Sequence, residues 1–190
     1  MKRVALEKCE TLLAKANTLF KAMENADTLN DVCSAWSDFL VTSQRIHTML
    51  EQGAKGTNKS YAWWGEKRHE RRTVPLLRYA HHARNADEHG LAEITKGAGA
   101  QVAFGVGPGR WRIDMDSSGI TVEAKGGQVS GESKFVESKP ARVVLVRIFD
   151  KGDAYDPPTS GLEPLTPVEA SRGILDHLSG MIEEAKQLAE

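Results

Sequence analysis

Apolar residues recur at three- and four-residue steps through the opening of the chain. Leu6, Cys9, Leu12, Leu13, Ala16, Leu19, Phe20 and Met23 form one such stripe and predict an amphipathic helix over roughly residues 3–25. Val32, Trp36, Phe39, Leu40, Ile46, Met49 and Leu50 form a second stripe. Thr28 and Asp31 have the spacing of a capping box at its start, and Gly53-Ala54-Lys55-Gly56 reads as its end. The short connection between the two helices predicts an antiparallel pair. Residues 57–72 are shorter, basic and aromatic. Thr73 then reads as the cap of a further helix with Pro75 in its first turn, running to about His89, with Gly90 just beyond its end.

After residue 90 the pattern changes to strand-like alternation: Val102, Phe104 and Val106, then Trp111, Ile113 and Met115, then Ile120-Thr121-Val122. Asp116-Ser117-Ser118-Gly119 and Gly126-Gly127 read as turns, Ser130–Ser138 as a weaker strand, and Arg142–Phe149 as the strongest strand in the chain. Three to five mostly antiparallel strands are expected, followed by an irregular segment from Tyr155 to Gly161. Thr166-Pro167-Val168-Glu169 combines a capping box with proline at the first helical position. The last helix carries Val168, Ile174, Leu175, Leu178, Met181, Ile182, Ala185 and Leu188 on one face, a stripe that requires a helical partner. The pattern therefore predicts a single α+β domain. A mainly helical bundle (1–90) would carry a small antiparallel β insertion (91–165), and the C-terminal helix (166–190) would pack back on the bundle.

Composition narrows the function classes. The 190 residues are 40% hydrophobic and 27% charged, as in ordinary globular domains. The net charge of −1 excludes a generally basic nucleic-acid coat but leaves room for a local cationic patch. Cys9 and Cys33 occupy apolar helical positions without metal-ligand spacing and read as buried thiols in a reducing compartment. No apolar run approaches the roughly 18 residues of a membrane span, and the start of the chain is not a signal peptide, so a cytoplasmic protein is expected.

The candidate chemistry lies on the helix before residue 90. At 100° per residue, Leu76, Tyr79, Ala80, Ala83 and Ala86 share one face. Arg78, His82, Asn85 and His89 share the other, with Arg84 on the flank. A solvated face would carry mostly Glu, Lys and Gln, so this stripe calls for a reason. Arg84-Asn85-Ala86-Asp87-Glu88-His89 resembles the signature of the HEPN superfamily, an arginine and a polar residue, then three variable positions and a histidine. The long amphipathic helices before it are also as in that family. The resemblance covers residues 1–90 and the last helix, and leaves the β segment unexplained.

That resemblance implies a homodimer through the Arg78–His89 helix, whose paired motifs form a cleft that cuts RNA without metal or other cofactor. His89 would be the acid or base for attack of a 2′-hydroxyl on phosphorus. Arg84 would stabilise the developing phosphate charge and Asn85 would orient the imidazole or the phosphate. His82, Arg78, Arg71 and Arg72 would help hold the substrate. A stress, phage-defence or toxin–antitoxin setting would follow. Two positions depart from the pattern. Asp87 and Glu88 place negative charge inside the motif, and Leu91 stands where many nuclease members carry tyrosine. The competing reading is a non-catalytic dimeric binding module for a protein or nucleic-acid partner, with Arg84 paired to Glu88 four residues on.

Lys59, Tyr61, Trp63, Trp64, Lys67, Arg68, Arg71 and Arg72 together suit an RNA backbone with stacked bases. The plainer reading puts one of the tryptophans in the core. His82 and His89 lie about 10 Å apart along a helix axis, too far to share one metal ion, and no H-E-x-x-H is present, so no metal site is expected. Gly97–Gly109 lacks Gly-Lys-Ser/Thr, and Ser117, Ser118 and Thr159 lack a nucleophile-elbow context.

Overall fold

The computed structural model describes residues 1–90, 93–99, 101–104, 110–116, 119–125, 135–139 and 141–189, with the side chains at 89, 90 and from 101 to 139 excepted. The described residues form five helices, α1 (Arg3–Glu24), α2 (Leu29–Ala54), α3 (Asn58–Thr73), α4 (Pro75–Gly90) and α5 (Pro167–Lys186). The fold is α+β and mainly helical, as the apolar periodicity predicts. Trp36, Phe39, Leu40, Ile46 and Leu50 of α2 share one core with Ile174, Leu178, Met181 and Ile182 of α5. Each such side chain contributes about 1.5–3 kcal/mol when fully buried.

α1 and α2 are antiparallel. The Lys2 amide donates to the Gly53 carbonyl at 3.1 Å, which places the start of α1 beside the end of α2. Thr28 caps α2 by accepting from the Asp31 amide at 3.1 Å. The Gly53-Ala54-Lys55-Gly56 run ends the helix as the sequence suggests, at Ala54. Gly53 lies inside α2, and a Cβ there would meet Ala5 Cβ at 2.6 Å and Met1 Sδ at 2.8 Å. Its lack of a side chain serves close packing. Gly53→Leu is expected to cost about 1–3 kcal/mol, read as a lower urea midpoint at unchanged m-value.

Thr73 is not a cap. It is the last residue of α3, and its hydroxyl donates back to the His69 carbonyl at 3.0 Å. Thr57 caps that helix instead, accepting from the Ser60 amide at 3.2 Å. Val74 is extended because it precedes proline, yet its amide reaches the Glu70 carbonyl and its carbonyl receives the Arg78 amide. α4 therefore starts directly behind α3. Gly90 closes α4 from within rather than following it. At α5 the expected capping box forms in both directions. The Glu169 amide donates to Thr166 Oγ1 at 3.2 Å, and the Thr166 amide donates to the Glu169 carboxylate at 2.8 Å.

Two compact units are present. The larger comprises Met1–Ala98 and Arg142–Glu190, the smaller Gly99–Ala141. The larger holds all five helices and β1 (Thr95–Ala98), β6 (Arg142–Leu145), β7 (Ile148–Asp150), β8 (Asp153–Tyr155), β9 (Thr159–Ser160) and β10 (Glu163–Pro164), paired β1–β6, β7–β8 and β9–β10. The smaller holds β2 (Gln101–Phe104) with β5 (Phe135–Lys139), and β3 (Arg110–Asp116) with β4 (Gly119–Lys125). All five pairs are antiparallel.

The strands are thus shorter and more numerous than the alternation suggests, and the separate unit is narrower than 91–165. Val143, Val144, Leu145 and Ile148 are buried, which ties this stretch to the helices. The expected strand Arg142–Phe149 breaks at Val146–Arg147, where the Val146 carbonyl accepts the Tyr79 hydroxyl at 2.7 Å. The Tyr155–Gly161 segment is not wholly irregular, since Tyr155 ends β8 and Thr159–Ser160 forms β9. The turns expected at Ser117-Ser118 and Gly126-Gly127, the glycines at 105, 107 and 109, and residues 130–134 lie outside the described residues. Among the described residues no helix is long and apolar enough to cross a membrane.

Candidate functional site

α4 buries the face that its sequence marks out. Tyr79, Ala83 and Ala86 are buried together with Leu77, and Leu76 and Ala80 pack against the same core. On the opposite, polar stripe Arg78 is exposed, but His82 and Asn85 are half-buried. β7 and β8 cover part of it, and they bring Asp150 and Tyr155 onto His82. His82 Nδ1 lies 2.7 Å from Asp150 Oδ2, and Asn85 Nδ2 donates to the same oxygen at 3.0 Å. The Tyr155 ring stacks on the imidazole with centroids 3.7 Å apart and planes 13° from parallel. These bonds from His82 and then Asn85 hold the Asp150 carboxyl below its ordinary range. An ionised carboxylate only accepts, so His82 Nδ1 carries the proton and Nε2 remains for a ligand.

The hairpin that delivers Asp150 depends on two residues. Asp150 pairs with Asp153 across Lys151-Gly152, whose φ angles are 55° and 92°. Positive φ at both central positions is the primed turn that suits the twist of a two-residue hairpin. Gly152→Val is expected to cost about 1 kcal/mol or more through strain at that φ. It should also disturb the His82–Asp150 bond, read as a change in the His82 ring proton resonances.

His82 and Tyr155 form one wall of a pocket of about 360 Å³ whose other lining residues are Arg68, Arg71, Arg72, Arg78 and His81. Four guanidiniums therefore line a cavity that has no carboxylate among its described lining residues. Arg68 and Arg72 on α3 and Arg78 on α4 are exposed, and their side chains make no hydrogen bond or ion pair with the described residues. Arg71 is half-buried. Its Nη2 donates to Gln44 Oε1 at 2.8 Å and to His81 Nδ1 at 2.5 Å. Burial lowers its pKa, and the positive charges of Arg72 and Arg84 add to the effect.

A smaller cavity of about 20 Å³, room for about one water molecule, shares Arg71 and His81 with this pocket and is also lined by His47 and Arg84. Two buried nitrogens of its lining residues, His47 Nδ1 and Arg84 Nε, have no hydrogen-bond partner among the described residues. Burial, reinforced by Arg71, pushes His47 down to about 3 and His81 down to about 4. Both imidazoles are neutral at physiological pH.

The motif residues are differently placed. Arg84 pairs with Glu88 and donates to Asn85 Oδ1 at 3.2 Å, and Asn85 is itself committed to Asp150. The side chain of His89 and the whole of Leu91 lie outside the described residues. Of the other sequence candidates, Arg71, Arg72, Arg78 and His82 come together on one pocket. Arg68, His81, Asp150 and Tyr155 join them. Asp150 and Tyr155 sit some 70 residues away in the chain, and only the Lys151-Gly152 turn signal could have pointed to them. Trp64 is a core residue, Trp63 donates its indole N–H to Glu184 at 2.8 Å, and Tyr61 is exposed. Among the described residues no group of three or more His, Cys, Asp or Glu side chains could hold a metal ion. No protein-family model, curated protein or solved structure matches this chain.

Proposed function

We propose that the protein is a metal-independent endoribonuclease whose reaction takes place in the arginine-lined pocket beside His82. The observation that carries this reading is the His82–Asp150 pair on the wall of a cavity otherwise lined by four arginines, His81 and Tyr155. In this reading Arg68, Arg72 and Arg78 hold the RNA backbone, and the arginines offset the charge that builds on the phosphoryl oxygens. His82 Nε2 removes the 2′-hydroxyl proton as the O2′–P bond forms. The P–O5′ bond then breaks, and the 5′-oxygen leaves with a proton from the imidazolium through water, giving a 2′,3′-cyclic phosphate. Asp150 keeps the imidazole in the tautomer that can act as base. This places the base at His82, whereas the HEPN resemblance places it at His89. Arg84 and Asn85 would then support the site from behind.

A second reading has its own support. Arg84 is closed onto Glu88 and Asn85 onto Asp150, as suits a binding module that holds RNA without cutting it. A homodimer through the Arg78–His89 helix belongs to either version, with the Arg84–Glu88 flank as its contact, because β7 and β8 cover His82 and Asn85. A cytoplasmic setting accords with the two free cysteines.

The deciding experiment incubates the protein with structured and single-stranded RNA in EDTA, beside His82→Ala, His89→Ala and Arg84→Ala. Cleavage with cyclic-phosphate ends that disappears in His82→Ala supports the first reading. Loss in His89→Ala alone would move the base back to the motif histidine. RNA retention without cleavage selects the binding module, and neither retention nor cleavage sinks both. The joint variant Arg72→Ala/Arg78→Ala is expected to weaken RNA binding whatever the sequence. It should also flatten the slope of log affinity against log salt by about 0.7 for each lost single-strand phosphate contact, measured by fluorescence anisotropy.

A further inference from the structure

We infer that His81 is a further phosphate-contacting residue of this pocket, acting as a neutral Nε2–H donor to a phosphoryl oxygen and held in that tautomer by Arg71. The inference rests on the phosphate reading of the pocket. Its basis is a difference between two adjacent imidazoles.

A guanidinium has only donors. The contact from Arg71 Nη2 to His81 Nδ1 at 2.5 Å therefore makes that nitrogen the acceptor, and the ring proton must sit on Nε2. At His82 the reverse holds, because Asp150 only accepts and the proton sits on Nδ1. The two rings lie 4.9 Å apart at 56° and line the same cavity. One therefore offers an N–H and the other a lone pair to whatever occupies it. The separation is enforced from behind, since Arg71 is itself oriented by Gln44 on α2.

A neutral N–H donor suits this position. His81 is half-buried, with Arg71, Arg84 and His82 around it and Asp150 as the nearby acid. Burial and the cationic neighbours disfavour a further positive charge there, so the ring donates without ionising. A phosphoryl oxyanion meeting Arg68, Arg72 and Arg78 at the mouth would receive its innermost hydrogen bond from His81. The chemistry recognised is the tetrahedral phosphoryl group, as a diester within RNA or as a free monoester.

The test uses the full chain with ¹⁵N-labelled histidine and reads both ring nitrogens of His81 and His82 in long-range ¹H–¹⁵N spectra at neutral pH. Opposite tautomers are expected, with bare Nδ1 at His81 and bare Nε2 at His82. Inorganic phosphate, and separately a short RNA without terminal phosphates, are then titrated in. A shift of the His81 Nε2–H with either ligand supports the donor role, and the ligand that produces it separates monoester from diester. If phosphate moves His81 and the RNA does not, the RNA reading falls and the His81 assignment stands. A proton on His81 Nδ1, or a His82 response without one at His81, would overturn the assignment and leave the pocket. Silence at both rings removes the pocket reading, and this one with it. His81→Phe is expected to weaken the responding ligand roughly tenfold to a hundredfold, and His81→Gln, which keeps an N–H at similar reach, to restore most of it. Equal loss in both variants with a native amide spectrum would mean that the ring only fills space.

Discussion

Asp150→Asn is expected to lower RNA cleavage by about 10²–10⁴-fold, the range that a positioned acid or base contributes, while the protein remains folded. The substitution is nearly isosteric, and His82 Nδ1 and the Asn85 amide, which share one oxygen of Asp150, can both still donate to the side-chain oxygen. What changes is the charge behind the imidazole. A neutral acceptor no longer stabilises the imidazolium that forms when Nε2 takes up the proton. The loss should fall on kcat more than on KM, because the phosphate-binding arginines are untouched. Replacing two bonds to a charged acceptor by neutral ones should cost about 1–2 kcal/mol of stability. Wild-type cleavage in Asp150→Asn, with the circular dichroism of the native fold, would rule out His82 as the base.

The second large effect is on stability in mild acid. His47, 6% exposed, is held neutral with its pKa pushed down to about 3, chiefly by burial and then by Arg71. His81 is pushed down to about 4, and His177 is also lowered by burial. The unfolded chain takes up a proton at each of these near pH 6.5, and the folded chain does not. Between that pH and the folded values the unfolded state binds more protons, so stability falls as pH falls. For His47 alone the loss is about 2 kcal/mol near pH 5, and His81 and His177 add to it. Asp150 and Glu184 act in a separate, lower window. Their pKa values are depressed by their partners, so their contribution is present above the ordinary carboxylate range and is lost as pH falls through the folded values. Urea midpoints near pH 7 and pH 5 should differ strongly in the wild type and less in His47→Phe. A flat profile over that interval would mean that these imidazoles are not buried in their neutral form.

The helical part of this fold was legible because its determinants are local. The stripe from Leu6 to Met23, the Thr166-Pro167-Val168-Glu169 box and the apolar face from Ile174 to Ala185 each specify an element by its own period and cap. The same signals misplaced Thr73 and left the role of Gly53 open. A threonine before Pro75 serves equally as the end of one helix or the start of the next. A glycine near a helix end can serve backbone freedom or close packing, and Ala5 decides which.

The polar face of α4 shows the division most clearly. Its sequence determined that Tyr79, Ala83 and Ala86 go inward, that His82 and Asn85 lie opposite them, and that a basic stretch precedes them. It could not determine what covers them. Asp150 and Tyr155 arrive through a hairpin some 70 residues on, placed by the burial of Leu145 and Ile148 and by the Lys151-Gly152 turn. Only that tertiary contact gives His82 its acceptor, Asp150, while the neighbouring His81 meets Arg71 of α3. A side chain's tautomer depends on its partner, and here the His82–Asp150 pairing is made by the fold rather than by the helix.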